Sequence, residues 1–138
     1  MGNVIPLRRP PQSRRRSERL GLTQPVALVD AYGTVATGRS VDISLGGMQI
    51  VCDRLTVDSL HLSDSQPAPE NEIRLDVHFG LPLASGLAKL DAECRLVYVV
   101  PGEPLSDFLM GLQFVRFHYA GAQLVERFLR EAELLQIS

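Results

Sequence analysis

The hydrophobic pattern of this chain changes its period once, and that change restricts the fold more than any other feature. Up to residue 117, short segments rich in Val, Thr and Leu alternate with turns rich in Gly, Pro and Asp, which is typical of β-strands. Apolar residues take every second position from Ile73 to Phe79, as in a half-buried strand. From residue 120 onward they recur at helical spacing. The pattern therefore predicts an all-β domain with one C-terminal helix.

The strand-like segments are short and are separated by regular turn signals. A connection over 53–71 has room for a short helix or strand, and a turn is expected over 80–86. Short strands joined by Gly and Pro turns favour a small closed barrel, capped by the helix. The predicted strands cover residues 23–30, 33–43, 47–52, 72–79, 87–100 and 108–117, and the predicted helix covers 120–137.

The charge is distributed unevenly along the 138 residues. Residues 1–20 hold six arginines and one acid, a net charge of +5, whereas the remainder has eight bases and fifteen acids, a net charge of −7. Residues 1–13 contain three prolines and no periodic pattern, so we expect a flexible N-terminal arm followed by one domain over residues 14–138. A cationic arm on an acidic body suggests that the arm meets an anion, although arginine-rich usage is also typical of GC-rich codons.

Two short motifs carry the chemistry of the candidate site. Arg15 and Arg19 are four residues apart in RRRSERLG, and guanidinium forks are suited to phosphates and to guanine edges. In DISLGG, Asp42 and Ser44 share one side of a strand if the strand is regular, and Gly47 permits a sharp turn or close approach. Each motif also has a simpler interpretation: the first as a solvated basic tail and the second as an ordinary β-turn.

The two motifs together resemble the signature of the PilZ domain family. The order is Arg-x-x-x-Arg at 15–19, then a strand pair, then Asp-x-Ser-x-x-Gly at 42–47. GLQF at 111–114 resembles the last barrel strand of that family, and LVERFLREAELL resembles its closing helix. The resemblance covers residues 14–135, nearly the whole chain, and all five motif positions match.

The resemblance implies a six-stranded antiparallel β-barrel that binds the bacterial second messenger cyclic di-GMP. The arginines would bind phosphate and guanine, Asp42 and Ser44 would hold a guanine edge, and Gly47 would permit close approach. The arm would change conformation on binding and signal to a partner protein that the sequence does not name. The candidate binding residues are Arg14, Arg15, Arg16, Arg19, Asp42, Ser44, Gly46 and Gly47; Arg14 and Arg16 would help to hold a second ligand molecule.

Other chemistry finds little support in the sequence. We find no catalytic constellation, no nucleotide-hydrolase phosphate loop and no metal-ligand spacing, so we expect a binding protein that has neither enzymatic activity nor a cofactor or metal. No signal stretch or spanning apolar run occurs, which predicts a cytoplasmic protein that makes no membrane contact. The residues that we considered and assigned to surface or core were His61, His78, His118, Asp91, Glu93, Cys52 and Cys94.

Two alternative functions remain open at this point. The first is a PilZ scaffold that has kept the barrel for protein–protein interaction and does not bind the nucleotide. The second is a small-barrel nucleic-acid binder that uses the arginine arm. The acidic body and the scarcity of aromatic residues argue against the second, so a nucleic-acid polymer is not an expected partner.

Overall fold

The structure, a computed structural model, describes residues 19–60, 62, 72–102 and 107–137. This part of the chain forms seven strands and two helices. The strands are β1 Leu20–Gly21, β2 Pro25–Val29, β3 Val35–Ile43, β4 Gly47–Asp53, β5 Arg74–Leu83, β6 Gly86–Pro101 and β7 Asp107–Phe117, and the helices are α1 Arg54–Ser59 and α2 Gly121–Ile137.

Six of the strands close into an antiparallel barrel. Around the ring the order is β3, β2, β5, β6, β7 and β4, and β4 pairs with β3 to complete it. The two-residue strand β1 pairs only with the end of β3 and lies outside this ring. The predicted six-stranded barrel with a C-terminal helix is therefore confirmed.

The barrel interior is filled by alternating apolar side chains. In β5, Leu75, Val77 and Phe79 are buried, while Arg74 and the other intervening residues face outward, as the two-residue period predicts. The interior also takes Cys52 and Cys94, which are free and buried. Burial is the main cause that raises the pKa of the Cys52 thiol to about 11 and that of Cys94 to about 12.

The predicted turn over residues 80–86 is wrong in its extent. Strand β5 continues to Leu83, and only Ala84 and Ser85 form the turn before β6. The inward alternation continues through Leu81 and Leu83, so the apolar pattern outweighs the turn signals of Gly80 and Pro82. The resulting long hairpin extends beyond β2 and meets α2.

Helix α2 packs on the barrel through one apolar stripe. Val125 and Leu129 are buried in the same core as the strands. On the neighbouring side of the helix, Glu131 accepts a hydrogen bond from the Ala84 amide over 2.8 Å, and Arg127 donates to the Ser85 hydroxyl over 2.9 Å. These contacts fix the β5–β6 turn against the helix.

Candidate functional site

Arg19 meets both polar residues of the DISLGG segment. Its Nε and Nη2 donate to Asp42 Oδ1 over 3.0 and 2.8 Å, and its Nη1 lies 3.5 Å from the Ser44 hydroxyl. One guanidinium group thus joins Arg19 to two residues that follow it in the sequence by 23 and 25 positions. The arrangement brings a cation and a carboxylate together beside the buried Ser44 hydroxyl.

The short strand β1 explains how Arg19 reaches this position. Leu20 pairs with Ile43 and Gly21 with Asp42, and the Leu22 amide donates to the Val41 carbonyl over 3.0 Å. This register places Arg19 opposite the end of β3, where Ser44 begins the next turn. A backbone ladder therefore anchors Arg19 at the site.

A β-bulge at Val41 sets the direction of Asp42. Ser40 pairs with Ile50 but Asp42 pairs with Gln49, so one extra residue is accommodated in β3. Ser40 points into the barrel and is buried, and unbroken alternation would have turned Asp42 inward as well. The bulge rotates Asp42 to the outer surface, a common use of bulges beside binding sites. From the sequence we expected a regular strand, so the bulge was not predicted.

Ser44 is the cap of a tight turn. Its side-chain oxygen accepts hydrogen bonds from the Gly46 and Gly47 amides, each over 3.2 Å, and the Ser44 amide donates to the Gly47 carbonyl over 2.8 Å. These hydrogen bonds form the turn that we considered as the simpler interpretation. Asp42 and Ser44 are close enough for one guanidinium group to contact both, but Ser44 is buried, with 2% of its surface exposed, whereas the Asp42 side chain is 21% exposed. Their role in binding a ligand stays a prediction.

Gly47 is required by the barrel itself. A Cβ atom at this position would lie 2.1 Å from the Leu112 carbonyl oxygen of β7, which is less than any real contact allows. The close approach that we expected from Gly47 is thus an approach to a neighbouring strand. Gly46 donates its amide to Ser44 and accepts a hydrogen bond from the Phe114 amide over 2.9 Å, which ties the turn to β7.

A cleft of about 550 Å³ opens beside this turn on the outer face of the barrel. Arg19, Ser44, Gly46 and Gly47 lie along one side of it. Asp42 is not among the lining residues, and it approaches the cleft through its contact with Arg19. The volume is in the range of small-molecule sites.

Strands β6 and β7 also line the cleft, and these residues were not predicted from the sequence. Arg95 donates through Nε to the Gln113 side-chain oxygen over 3.0 Å, and Tyr98 of β6 lines the cleft as well. In the described residues Arg95 forms no ion pair, whereas Arg74 and Arg116 both contact Glu93. The one indication in the sequence was a single basic residue, Arg95, within the mostly apolar segment ECRLVYVV. Arg95 is thus hydrogen-bonded to a neutral amide, and no acid among the described residues pairs with its charge, which suits a surface that receives an anion.

The other candidates occupy surface positions of the barrel. His78 pairs with Asp91 over 2.7 Å, and Glu93 contacts Arg74 over 2.6 Å and Arg116 over 3.1 Å. Among the described residues no three His, Cys, Asp or Glu side chains are placed to hold a metal ion. A membrane-crossing helix is likewise not found in the part of the chain that the structure describes.

Several predictions concern residues that the structure does not describe. Arg14, Arg15 and Arg16, the expected arm over residues 1–13 and His61 all lie outside the described ranges. Their proposed contacts, and the domain boundary near residue 14, stay predictions.

Comparison with known proteins places this geometry in a family. A family model described as the PilZ domain matches residues 13–131, which is most of the chain. No curated protein matches the sequence.

The fold itself occurs in solved structures of low sequence identity. The inhibitor of motility MotI/DgrA from Bacillus subtilis aligns over 87% of this chain with a TM-score of 0.65 and 13% identity, and 51% of that protein is covered. MrkH from K. pneumonia in its apo state gives 94% coverage, a TM-score of 0.58 and 18% identity, with 54% of MrkH covered. PlzA from Borreliella burgdorferi in complex with c-di-GMP aligns over 90% of this chain with a TM-score of 0.56 and 11% identity, and 53% of PlzA is covered. The chain spans about half the length of these proteins, and at such identities the likeness shows the fold.

Proposed function

Because the chain belongs to the PilZ domain family, whose model matches residues 13–131, we propose that it is a receptor for cyclic di-GMP that signals to a partner protein. The observation that carries the proposal is that Arg19 and Ser44 line an open cleft while the Arg19 guanidinium group also binds Asp42. The proposed role is recognition without catalysis, in the cytoplasm.

The chemistry of the cleft agrees with this ligand. Cyclic di-GMP carries two phosphate charges and two guanine bases, so it needs cationic forks and an acceptor for the guanine N–H groups. Arg19 and Arg95 both line the cleft and supply two guanidinium groups, and Asp42 supplies a carboxylate next to Arg19. Structures of PlzA and of MrkH are described as c-di-GMP complexes, which supports the same assignment for this barrel.

The bound state would need a rearrangement at Arg19. Both Arg19 nitrogens that contact Asp42 use the same carboxylate oxygen. A guanine edge that donates to both Asp42 oxygens would compete with these two nitrogens for Oδ1, and its binding would free Arg19 for a phosphate. We infer that Arg14, Arg15 and Arg16 join Arg19 on the ligand and that the arm over residues 1–13 orders over it, so arm position is the signal to the partner.

A scaffold without nucleotide binding is the second candidate, and one observation favours it. Ser44 and Gly47 have structural tasks in the turn and at the β4–β7 contact, which would preserve both residues in the absence of any ligand. A partner protein captured equally well with and without cyclic di-GMP would support the scaffold.

Isothermal titration calorimetry of the full chain with cyclic di-GMP tests the receptor directly. We expect micromolar or tighter binding by the wild type and a loss of at least tenfold in Arg19→Ala and in Arg95→Ala, because each removes a charged donor worth about 1.5–3 kcal/mol. Arg130→Ala is the matched control, since Arg130 lies on α2 and pairs with Glu126. A wild-type protein that gives no binding heat and no other binding signal at high ligand concentration would reject the proposal.

A further inference from the structure

Three residues of neighbouring strands meet on the outer face of the barrel inside the cleft. Gln49 of β4 pairs with Gly111 of β7, and Gly111 pairs with Tyr98 of β6. The Gln49 side-chain amide donates to the Tyr98 hydroxyl. All three residues line the cleft, so its floor at this level is made by one tyrosine and the two residues beside it.

Gly111 leaves the space that the Tyr98 ring fills. A Cβ atom on Gly111 would lie 2.3, 2.5 and 2.8 Å from three adjacent ring atoms, Cε2, Cζ and Cδ2. The ring therefore lies over the backbone of β7, where a side chain would otherwise stand. The Gly111 backbone beside the ring and the Gln49 amide at its hydroxyl both limit movement of the ring, and Tyr98 lines the cleft.

A second bulge directs Tyr98 outward in the same way that the first directs Asp42. Leu96 pairs with Leu112 but Tyr98 pairs with Gly111, so Val97 is the extra residue. Leu96 points into the core, and regular alternation would have turned the Tyr98 side chain inward as well. The extra residues of the two bulges, Val41 and Val97, are 41% and 45% exposed. Two irregularities on different strands thus turn the next side chain toward one site.

We propose that Tyr98 is an aromatic floor on which a planar heterocyclic base stacks, and that Gly111 and Gln49 are positioning residues that hold its ring in place. Every nucleobase has a π-face, and a fixed ring binds it without losing much side-chain freedom. Arg95 lines the same cleft, and its guanidinium group suits the phosphate of such a ligand. The base is a guanine of cyclic di-GMP if the proposed function holds, and the proposal rests on that function for this identity alone.

The three tyrosines give a direct measurement. Tyr32 and Tyr119 are 91% and 97% exposed and do not line the cleft, so ¹³C-labelled tyrosine yields one cleft signal and two surface signals. Tyr32→Phe and Tyr119→Phe assign the signals and serve as controls with unchanged affinity. We expect cyclic di-GMP to shift the Tyr98 ring resonances upfield, as a stacked base does, and to leave the other two in place.

Binding measurements on variants test the positioning roles. Tyr98→Leu removes the floor and should weaken cyclic di-GMP binding about tenfold or more, whereas Tyr98→Phe keeps the ring and should lose less. Gly111→Ala pushes the ring out of position and should weaken binding to a similar degree. In the double variant Tyr98→Leu/Gly111→Ala there is no ring to displace, so adding Gly111→Ala to Tyr98→Leu should cause no further loss of affinity. If Gly111 had a purely structural role, the double variant would bind more weakly than Tyr98→Leu alone. Circular dichroism confirms that each variant is folded, and the double variant is free of the clash.

The outcomes separate this inference from the proposed function when spectra are also recorded with cyclic di-AMP and GMP. Binding of cyclic di-GMP with an unmoved Tyr98 signal, or with full affinity in Tyr98→Leu, overturns the aromatic floor and keeps the receptor. A Tyr98 shift with the other nucleotides but not with cyclic di-GMP keeps the floor and overturns the receptor. No shift and no binding heat with any of the three overturns both.

Discussion

Two nitrogens of Arg19, Nε and Nη2, donate to the same oxygen of Asp42, Oδ1, over 3.0 and 2.8 Å. The pair connects the residue before β1 to the bulged end of β3, and Arg19 lines the cleft. Its side chains are 41% and 21% exposed, so solvent weakens the attraction and the two can separate at small cost. An ion pair of this kind is suited to exchange with a ligand.

Replacing Asp42 by alanine should therefore affect binding far more than folding. We expect the free energy of unfolding to change by about 1 kcal/mol or less, as for exposed ion pairs. Cyclic di-GMP affinity should fall about tenfold or more, because a guanine edge loses its charged acceptor. Urea denaturation and calorimetry measure the two quantities. Asp58→Ala on α1, outside the cleft, is the control, and unchanged affinity in Asp42→Ala would contradict the role of Asp42.

Gly47→Ala should destabilise the barrel whether or not a ligand binds. The added Cβ would meet the Leu112 backbone oxygen at 2.1 Å, and a strand backbone cannot yield as a flexible side chain does. We expect a loss of about 1–3 kcal/mol in urea denaturation. Gly21→Ala is a matched control in β1, because its Cβ would have no atom within 4 Å, and it should stay within about 0.5 kcal/mol of wild type. Equal stability of the two variants would show that the space between β4 and β7 at residue 47 accommodates a methyl group.

The fold was largely predictable because the alternation of apolar residues is local. The inward face of Leu75, Val77 and Phe79 follows from the sequence alone, and so does the amphipathic helix. Asp42 and Tyr98 face outward for a different reason, since a bulge depends on how two strands pair and leaves no local pattern. The sequence allowed Ser44 to be read as a turn residue or as a ligand-binding residue, and its role in the turn became clear only from the positions of the Gly46 and Gly47 amides. The part of the cleft lined by Arg95 and Tyr98 is brought to the site by barrel closure, and no contiguous sequence motif marks it.

The two cysteines should be inert in the folded protein. Burial raises the pKa of Cys52 to about 11 and that of Cys94 to about 12, so almost no reactive thiolate is present near pH 8. We expect slow reaction with Ellman's reagent in buffer and release of two equivalents once the chain is unfolded in urea, in agreement with the two cysteines of the sequence. Rapid modification of the native protein would mean that the barrel opens readily at β4 or β6.

The contact between Glu131 and the β5–β6 turn predicts a pH dependence of stability. The Ala84 amide, and to a lesser degree Arg127, hold the pKa of Glu131 below its ordinary value of about 4.3. Because the folded state binds this proton less readily than the unfolded state, the stabilisation is complete above the ordinary pKa and is lost as pH falls through the folded pKa. The stability difference between wild type and Glu131→Gln should therefore shrink as urea denaturation is repeated at successively lower pH below about 4.3. Glu133→Gln on the same helix is the matched control, and a wild-type advantage over Glu131→Gln that stays constant across this range would contradict the assignment.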